Sequence, residues 1–314
     1  MPRDEARSEA MAESPAPDGA PERILIAHDL SVEADRAVAL IAATKWPPAT
    51  VVRIVTSPMD VGETVSSFMG PREARTQARQ VAASIEAAHA RAVADVARTV
   101  DRVESAVLAG PPGDAVVGEA TRFGADLVVV GARAHSGLTR MLMGSVSTEI
   151  SERAPCSVLI ARVESLSRVL LATDGSDAAR DAESAVLHWP VFADADVRIV
   201  GVADPTEDHE ILVLSPDGGE SPSEGPPASS ARAAATMERA VEPFRAAGRR
   251  VESQTRTGTP AAEVIAAARE WPADVVVVGS IGHSLIRRIL VGSEARAILH
   301  GVQSSVLLVR RPAR

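Results

Sequence analysis

The feature that most constrains this chain is that it repeats itself. Val52-Arg53-Ile54-Val55 returns as Val197-Arg198-Ile199-Val200 and Asp29 returns as Asp174, both 145 residues on. Gly110, Pro112, Gly131, Gly144 and Val158 return as Gly258, Pro260, Gly279, Gly292 and Val306, all 148 residues on. A chain of 314 residues, at roughly 150 per domain, has room for two domains. It therefore reads as two copies of one domain, and every motif can be examined twice.

Each copy opens with an apolar run ending in Asp, Ile24 to Asp29 and Val169 to Asp174. Further apolar, β-branched runs follow at 51–55, 127–130 and 158–160, and again at 197–202, 275–278 and 306–309. Continuous runs of this kind mark parallel strands covered on both faces. Weaker runs at 105–109 and 251–255 supply a fifth strand per copy, and alanine-rich stretches such as 72–98 and 231–247 carry helical periodicity. Alternating strands and helices predict an α/β fold with right-handed crossovers. The expected layout is two tandem open parallel sheets of five strands, with helices on both faces. It comprises a disordered acidic tail (1–22), a first domain (23–163) and a second domain (164–314) with a flexible acidic insertion (204–230).

Charge is unevenly distributed. The net charge is -9, but residues 1–22 hold six acids against two arginines, and residues 204–224 hold seven acids and neither Lys nor Arg. The remainder is close to neutral. Nucleic acid is a poor partner for such a chain, which has no basic face and only seven aromatic residues for stacking. No apolar run approaches the ~18 residues of a membrane span, and the N-terminus lacks the apolar stretch of a signal peptide. One cysteine, Cys156, allows neither an internal disulfide nor a CxxC site, so a cytoplasmic location is expected and Cys156 should pack as a small apolar group. The only lysine, Lys45, has no glycine loop before it, which excludes a Walker A motif. One lysine against 32 arginines suggests a GC-rich bacterial source.

After its fourth strand run, the second copy reads Gly279-Ser280-Ile281-Gly282, then nine residues, then Gly292-Ser293. At the carboxyl end of a parallel strand, where open α/β sheets bind ligands, such glycines let the backbone approach closely with its N–H groups exposed. Gly292-Ser293 opens the next helix, whose first N–H groups lack internal partners and favour an anion. Together these elements predict a phosphate cradle without a lysine.

These motifs resemble a tandem universal stress protein. The resemblance covers residues 23–314 apart from the acidic insertion. It rests on Gly-x2-Gly-x9-Gly-Ser, on the Asp after strand one, on Gly110-Pro111-Pro112 and Gly258-Thr259-Pro260, and on the opening Leu170 to Ser176. It implies an adenine nucleotide, ATP, ADP or AMP, accompanied by Mg2+ where the phosphates share an ion. Asp174 and the backbone near Val202 would meet the nucleoside; Gly279, Gly282, Gly292 and Ser293 would meet the phosphates. In the first copy Asp29, Gly131, Ala134, Gly144, Ser145 and Ser147 take the matching places, Ser147 as a phosphate donor. The resemblance also implies that the final strands pair the two domains with each other, with homodimerisation open.

Each copy departs from the pattern. The first has Ala134 for the second glycine, whose Cβ resists positive φ, and Leu30 where the second copy has Gly175. The second has Glu294-Ala295 in place of Val146-Ser147, and a carboxylate about 5 Å from a phosphate would cost roughly 3 kcal/mol at an effective dielectric of 20. The second copy is therefore expected to bind nucleotide and the first weakly or not at all. His135 and His283 share a position beside the second motif residue, where an imidazole could meet a phosphate. Arg133, Arg140, Arg287 and Arg288 could add positive charge, and His28 is expected at a strand end without a ligand role. The alternatives are a stress scaffold of the same fold acting through dimerisation or docking, and a slow ATP hydrolase, for which hydrolysis needs a positioned water and charge stabilisation.

Overall fold

The computed structural model describes residues 19–57, 71–132, 143–206, 227–280 and 291–311. The first half runs β1 (Arg23–Ala27), α1 (Val32–Ala42), β2 (Val51–Thr56), α2 (Pro71–Val96), β3 (Arg102–Val107), α3 (Pro112–Phe123), β4 (Leu127–Gly131), α4 (Ser145–Arg153) and β5 (Ser157–Ala161). The second runs β6 (Arg168–Ala172), α5 (Asp177–His188), a 3-10 turn (Pro190–Phe192), β7 (Asp196–Ala203), α6 (Ala228–Ala246), β8 (Val251–Thr257), α7 (Pro260–Glu270), β9 (Val275–Gly279), α8 (Ser293–Gly301) and β10 (Ser305–Val309). Within each half all pairings are parallel, and the two five-stranded units merge into one ten-stranded sheet of order β3-β2-β1-β4-β5-β10-β9-β6-β7-β8. The join is antiparallel: Val306, Leu307 and Leu308 of β10 lie opposite Ile160, Leu159 and Val158 of β5. No helix among the described residues is long and apolar enough to cross a membrane.

The apolar runs become the central strands because both of their faces are covered. Ile24 and Ile26 pack into one apolar layer with α1, α2, α5 and α6, while Leu25, between them, joins the other layer with α3, α4, α7 and α8. Each layer crosses the junction between the halves. Cys156 is fully buried, and that burial pushes its thiol up to about 12, so it is inert packing.

Three boundaries differ from expectation. The weak edge strand β3 begins at Arg102, three residues before the run at 105, because β2 offers it six consecutive partners regardless of its polarity. Pro21 and Glu22, assigned to the tail, belong to the folded unit: Val51 N donates to the Glu22 carbonyl at 2.7 Å, and Glu22 N donates to Asp126. Ala228 to Ser230, assigned to the insertion, form the first turn of α6. Residues 1–18 of the tail and 207–226 of the insertion lie outside the described residues.

The seam between the halves is closed by two arginines in equivalent places. Arg162, just after β5, donates to the carbonyls of Leu299 (3.0 Å), Val302 (3.1 Å) and Ser304 (2.7 Å) at the end of α8. Arg310, just after β10, donates to the carbonyls of Ala154 (2.7 Å) and Ser151 (2.5 Å) at the end of α4. Each guanidinium thus caps the final turn of a helix in the opposite half, where the orphan carbonyls and the negative end of the dipole favour a cation. Burial lowers Arg162 to about 10, so it stays charged at neutral pH.

The glycines ending β4 and β9 are required by packing. A methyl group on Gly131 would lie 2.5 Å from the Glu33 carbonyl, and one on Gly279 would lie 2.5 Å from that of Ala178. The helix following the first strand of each half therefore rests its first turn directly on the end of the fourth strand.

Two outcomes follow. Arg162→Met leaves three buried carbonyls unpaired and should cost about 3 kcal/mol in chemical denaturation; a loss below about 0.5 kcal/mol would contradict the seam described. Gly279→Ala should cost about 1–3 kcal/mol through overpacking, and a neutral result would mean that α5 can retreat from β9.

Candidate functional site

The candidate site of the second half forms where β6 stops short. Its neighbours run further: β7 to Ala203 and β9 to Gly279, whereas β6 ends at Ala172. Thr173 N donates to the Val200 carbonyl, so Val200 faces β6; by the two-residue alternation of a strand, Val202 faces the same way, past the end of β6. Ser280 N donates to the Val309 carbonyl, so Ser280 faces β10 and Gly279 faces β6. The main chains of Val202 and Gly279 thus flank a notch at the strand-order switch point, the place where open α/β sheets bind ligands. The first half builds the same notch beyond β1, flanked by Ser57 and Gly131.

Asp174 and Asp29 sit exposed at the mouths of these notches. Each also folds its own turn: Asp174 Oδ1 accepts from Ser176 N at 2.9 Å and Asp29 Oδ1 from Ser31 N at 3.2 Å. Ser176 and Ser31 in turn cap α5 and α1, accepting from Ala179 N and Ala34 N at 3.2 Å. The duplicated Asp is therefore structural as well as exposed. Leu30 adopts φ +65° where Gly175 has φ +78°, a conformation that is strained for a bulky side chain.

The cradle helices start without a side-chain cap. Gly144 and Gly292 occupy the N-cap positions of α4 and α8, leaving exposed Ser145 and Ser293 to open the first turns. The Gly292 N–H itself is already donated to the Ser280 carbonyl at 2.9 Å, so the amides at this end begin with Ser293. Ser147 is buried and donates its hydroxyl proton to the Gly131 carbonyl at 3.1 Å, so it ties the helix to the strand and has no proton left for a phosphate. Glu294 points to another helix: its Oε2 accepts from Ala261 N at 2.7 Å, in the first turn of α7. It supplies the cap that Thr259 does not. Gly282, His283, Ala134, His135, Arg133, Arg140, Arg287 and Arg288 lie outside the described residues.

Beneath the two turns lie polar clusters that the repeat comparison missed. In the first half His28 Nε2 meets Asp35 Oδ1 at 3.0 Å, and Thr56 Oγ1 lies 2.7 Å from the His28 carbonyl and 2.8 Å from His89 Nε2. In the second half Thr173 Oγ1 donates to Glu183 Oε1 at 2.6 Å, and Met237 packs against Gly201, the counterpart of Thr56. Burial raises the Glu183 carboxyl, opposed by the Thr173 hydroxyl and by Arg239. The residue types differ between copies, so duplication gave no signal; the position directly before each duplicated Asp was the available one.

The universal stress protein family model matches this chain twice, over residues 21–162 and 166–310. A universal stress protein of Methanocaldococcus jannaschii is 27% identical over 146 residues, 46% of this chain and 82% of its own. The crystal structure of a universal stress protein from Archaeoglobus fulgidus covers 92% of this chain and 98% of its own at 19% identity, with a TM-score of 0.61, and shares the fold. A universal stress protein solved in complex with cAMP is 23% identical, covering 46% of this chain and 96% of its own, with a TM-score of 0.30. With two matched units taking up nearly its whole length, the chain belongs to the universal stress protein family and carries two tandem copies of the domain.

Proposed function

We propose that the chain is an adenine-nucleotide binding module whose principal site is the notch of the second half. The observation that carries this reading is the convergence there of three unlike groups: the exposed Asp174 carboxylate, the outward main chain of Val202, and the uncapped start of α8 at Gly292-Ser293. Asp174 suits ribose hydroxyls as an acceptor. The Val202 N–H and C=O suit the donor and acceptor edge of adenine. Ser293 and the first amides of α8 suit phosphate oxygens, since a helix start attracts anions without a lysine. Among the described residues no group of three His, Cys, Asp or Glu is placed to hold a metal, so a Mg2+ would be carried mainly by the phosphates.

Glu294 tempers the site less than its charge suggests. Its carboxylate sits on the first turn of α7, whose dipole contributes roughly half a positive charge. That halves a cost of roughly 3 kcal/mol. The first half is the lesser site, because Leu30 strains the turn that presents Asp29; at the position of Ser147, whose proton is committed to Gly131, the second half has Ala295, so neither half offers a hydroxyl there.

Calorimetry with ATP on the full chain tests the reading. Asp174→Asn keeps an acceptor for Ser176 N while removing the charge, and should weaken binding roughly 10- to 100-fold; unchanged affinity, or no heat with the unaltered protein, overturns the assignment. Glu294→Gln retains the cap on α7 and leaves the α7 dipole in place while removing the whole charge, so it should tighten ATP by roughly 10- to 100-fold. Weaker binding would show that the carboxylate helps to hold the ligand.

A further inference from the structure

The turns after β1 and β6 have the same shape but are fastened by different chemistry. In each, the amide two residues past the strand-end residue is held by that residue's own side chain. Gly175 N donates to Thr173 Oγ1 at 3.2 Å, and Leu30 N donates to His28 Nδ1 at 3.3 Å. A hydroxyl oxygen keeps its lone pairs at any pH in ordinary use. An imidazole nitrogen accepts only while the ring is neutral.

The hydrogen bonds around His28 settle its tautomer. Nδ1 accepts from Leu30 N, so the ring proton is on Nε2, which donates to Asp35 Oδ1. Thr56 spends its one hydroxyl proton on the His28 carbonyl, so the His89 Nε2 must be the donor to Thr56 Oγ1. His28 is therefore neutral in this arrangement while His89 carries a proton on Nε2, and both rings are buried, at 3% and 7% exposure. A proton added to His28 can go only to Nδ1, where it would face the Leu30 N–H.

We propose that the β1–α1 turn is a pH-operated latch: protonating His28 at Nδ1 breaks its bond to Leu30 and frees the Asp29-Leu30-Ser31 turn, while the turn of the second half stays fastened. Leu30 stands at φ +65° without the freedom of glycine, so the turn is under strain that the bond opposes. Asp35 on α1 meets Nε2 of His28, His89 on α2 reaches it through Thr56 of β2, which does not titrate, and Asp29 follows it in the turn. Asp35 already accepts from Nε2 and supplies the counter-charge for an imidazolium. Burial lowers His89, and a charged His28 lowers it further. In the second half Thr173 Oγ1 can accept from Gly175 N whether or not Glu183 is ionised. The latch acts on the turn that presents Asp29, but it holds whatever the notch binds.

The test is amide hydrogen exchange by NMR on the full chain between pH 7.5 and 5, with Gly175 as the internal reference for Leu30 and the ring resonances of His28 and His89 followed in the same samples. After correction for intrinsic rates, the exchange of Leu30 relative to Gly175 should rise roughly five- to tenfold, with a midpoint that coincides with the titration of His28. His28→Thr, which copies the second half, should keep Leu30 protected and remove the rise. A constant ratio, a midpoint that follows His89, or loss of protection at both amides together would overturn the proposal. These outcomes are read from the unaltered chain, so they stand even if the variant does not fold, and none of them depends on nucleotide.

Discussion

The antiparallel contact of β5 with β10 is the constraint on which the rest of this molecule depends. Alone, each half would end in a strand whose five residues are all buried here, yet whose outer edge would be open to pairing. Setting the two edges together removes both and lets each apolar layer run across the sheet. The edges left at the outside, β3 and β8, are the ones that can tolerate water: Arg102, Glu104, Glu252 and Arg256 are spread along them. The chain thus uses its most apolar strands at the centre and its most polar at the rim, and the duplication makes this possible within one polypeptide.

Once the geometry of a repeat is secured by packing, the chemistry inside it is free to diverge. Gly131 and Gly279 are held identical because the backbone of the following helix rests against them. At the residue before the duplicated Asp the copies have parted: an imidazole in one, a hydroxyl in the other, each fastening the same amide. The same freedom appears one strand away, where Thr56 and His89 occupy the space that Gly201 and Met237 fill in the second half. Two domains of one shape can in this way present notches with different acid–base character.

Much of this was legible in the sequence. The alternation of elements, the parallel strands and the place of the notch follow from apolar runs and duplicated glycines, because burial on both faces leaves a strong signature; the order of the strands does not. What could not be read were interactions between residues far apart in the chain. Glu294 looked like an obstacle to phosphate because its neighbours in sequence belong to the cradle; its actual partner, the Ala261 amide, is reached only through the packing of α8 on α7. Ser147 looked like a ligand donor because the resemblance implies one at that position, and its proton goes to a strand end 16 residues earlier. Arg162 and Arg310 gave no signal, since a cation just after a strand has no meaning until the helix of the other half is brought to it.

The direction of the junction also decides how the two notches relate. Because β5 and β10 are antiparallel while all other pairings are parallel, the carboxyl ends of the strands point one way in the first half and the opposite way in the second. The notches therefore open at opposite rims of the sheet and cannot share a ligand. What joins them is a pair of helices: α4 and α8 each begin at the cradle of their own half and end on an arginine of the other. A nine-residue helix is about 13.5 Å long, and dipole effects fade within a turn of either end, so electrostatics alone carries little from seam to cradle. Position carries more. The guanidinium fixes where the last turn of α8 sits, the helix is rigid over its length, and the amides that would meet a phosphate are thereby set against β9 by a residue from the other half of the chain.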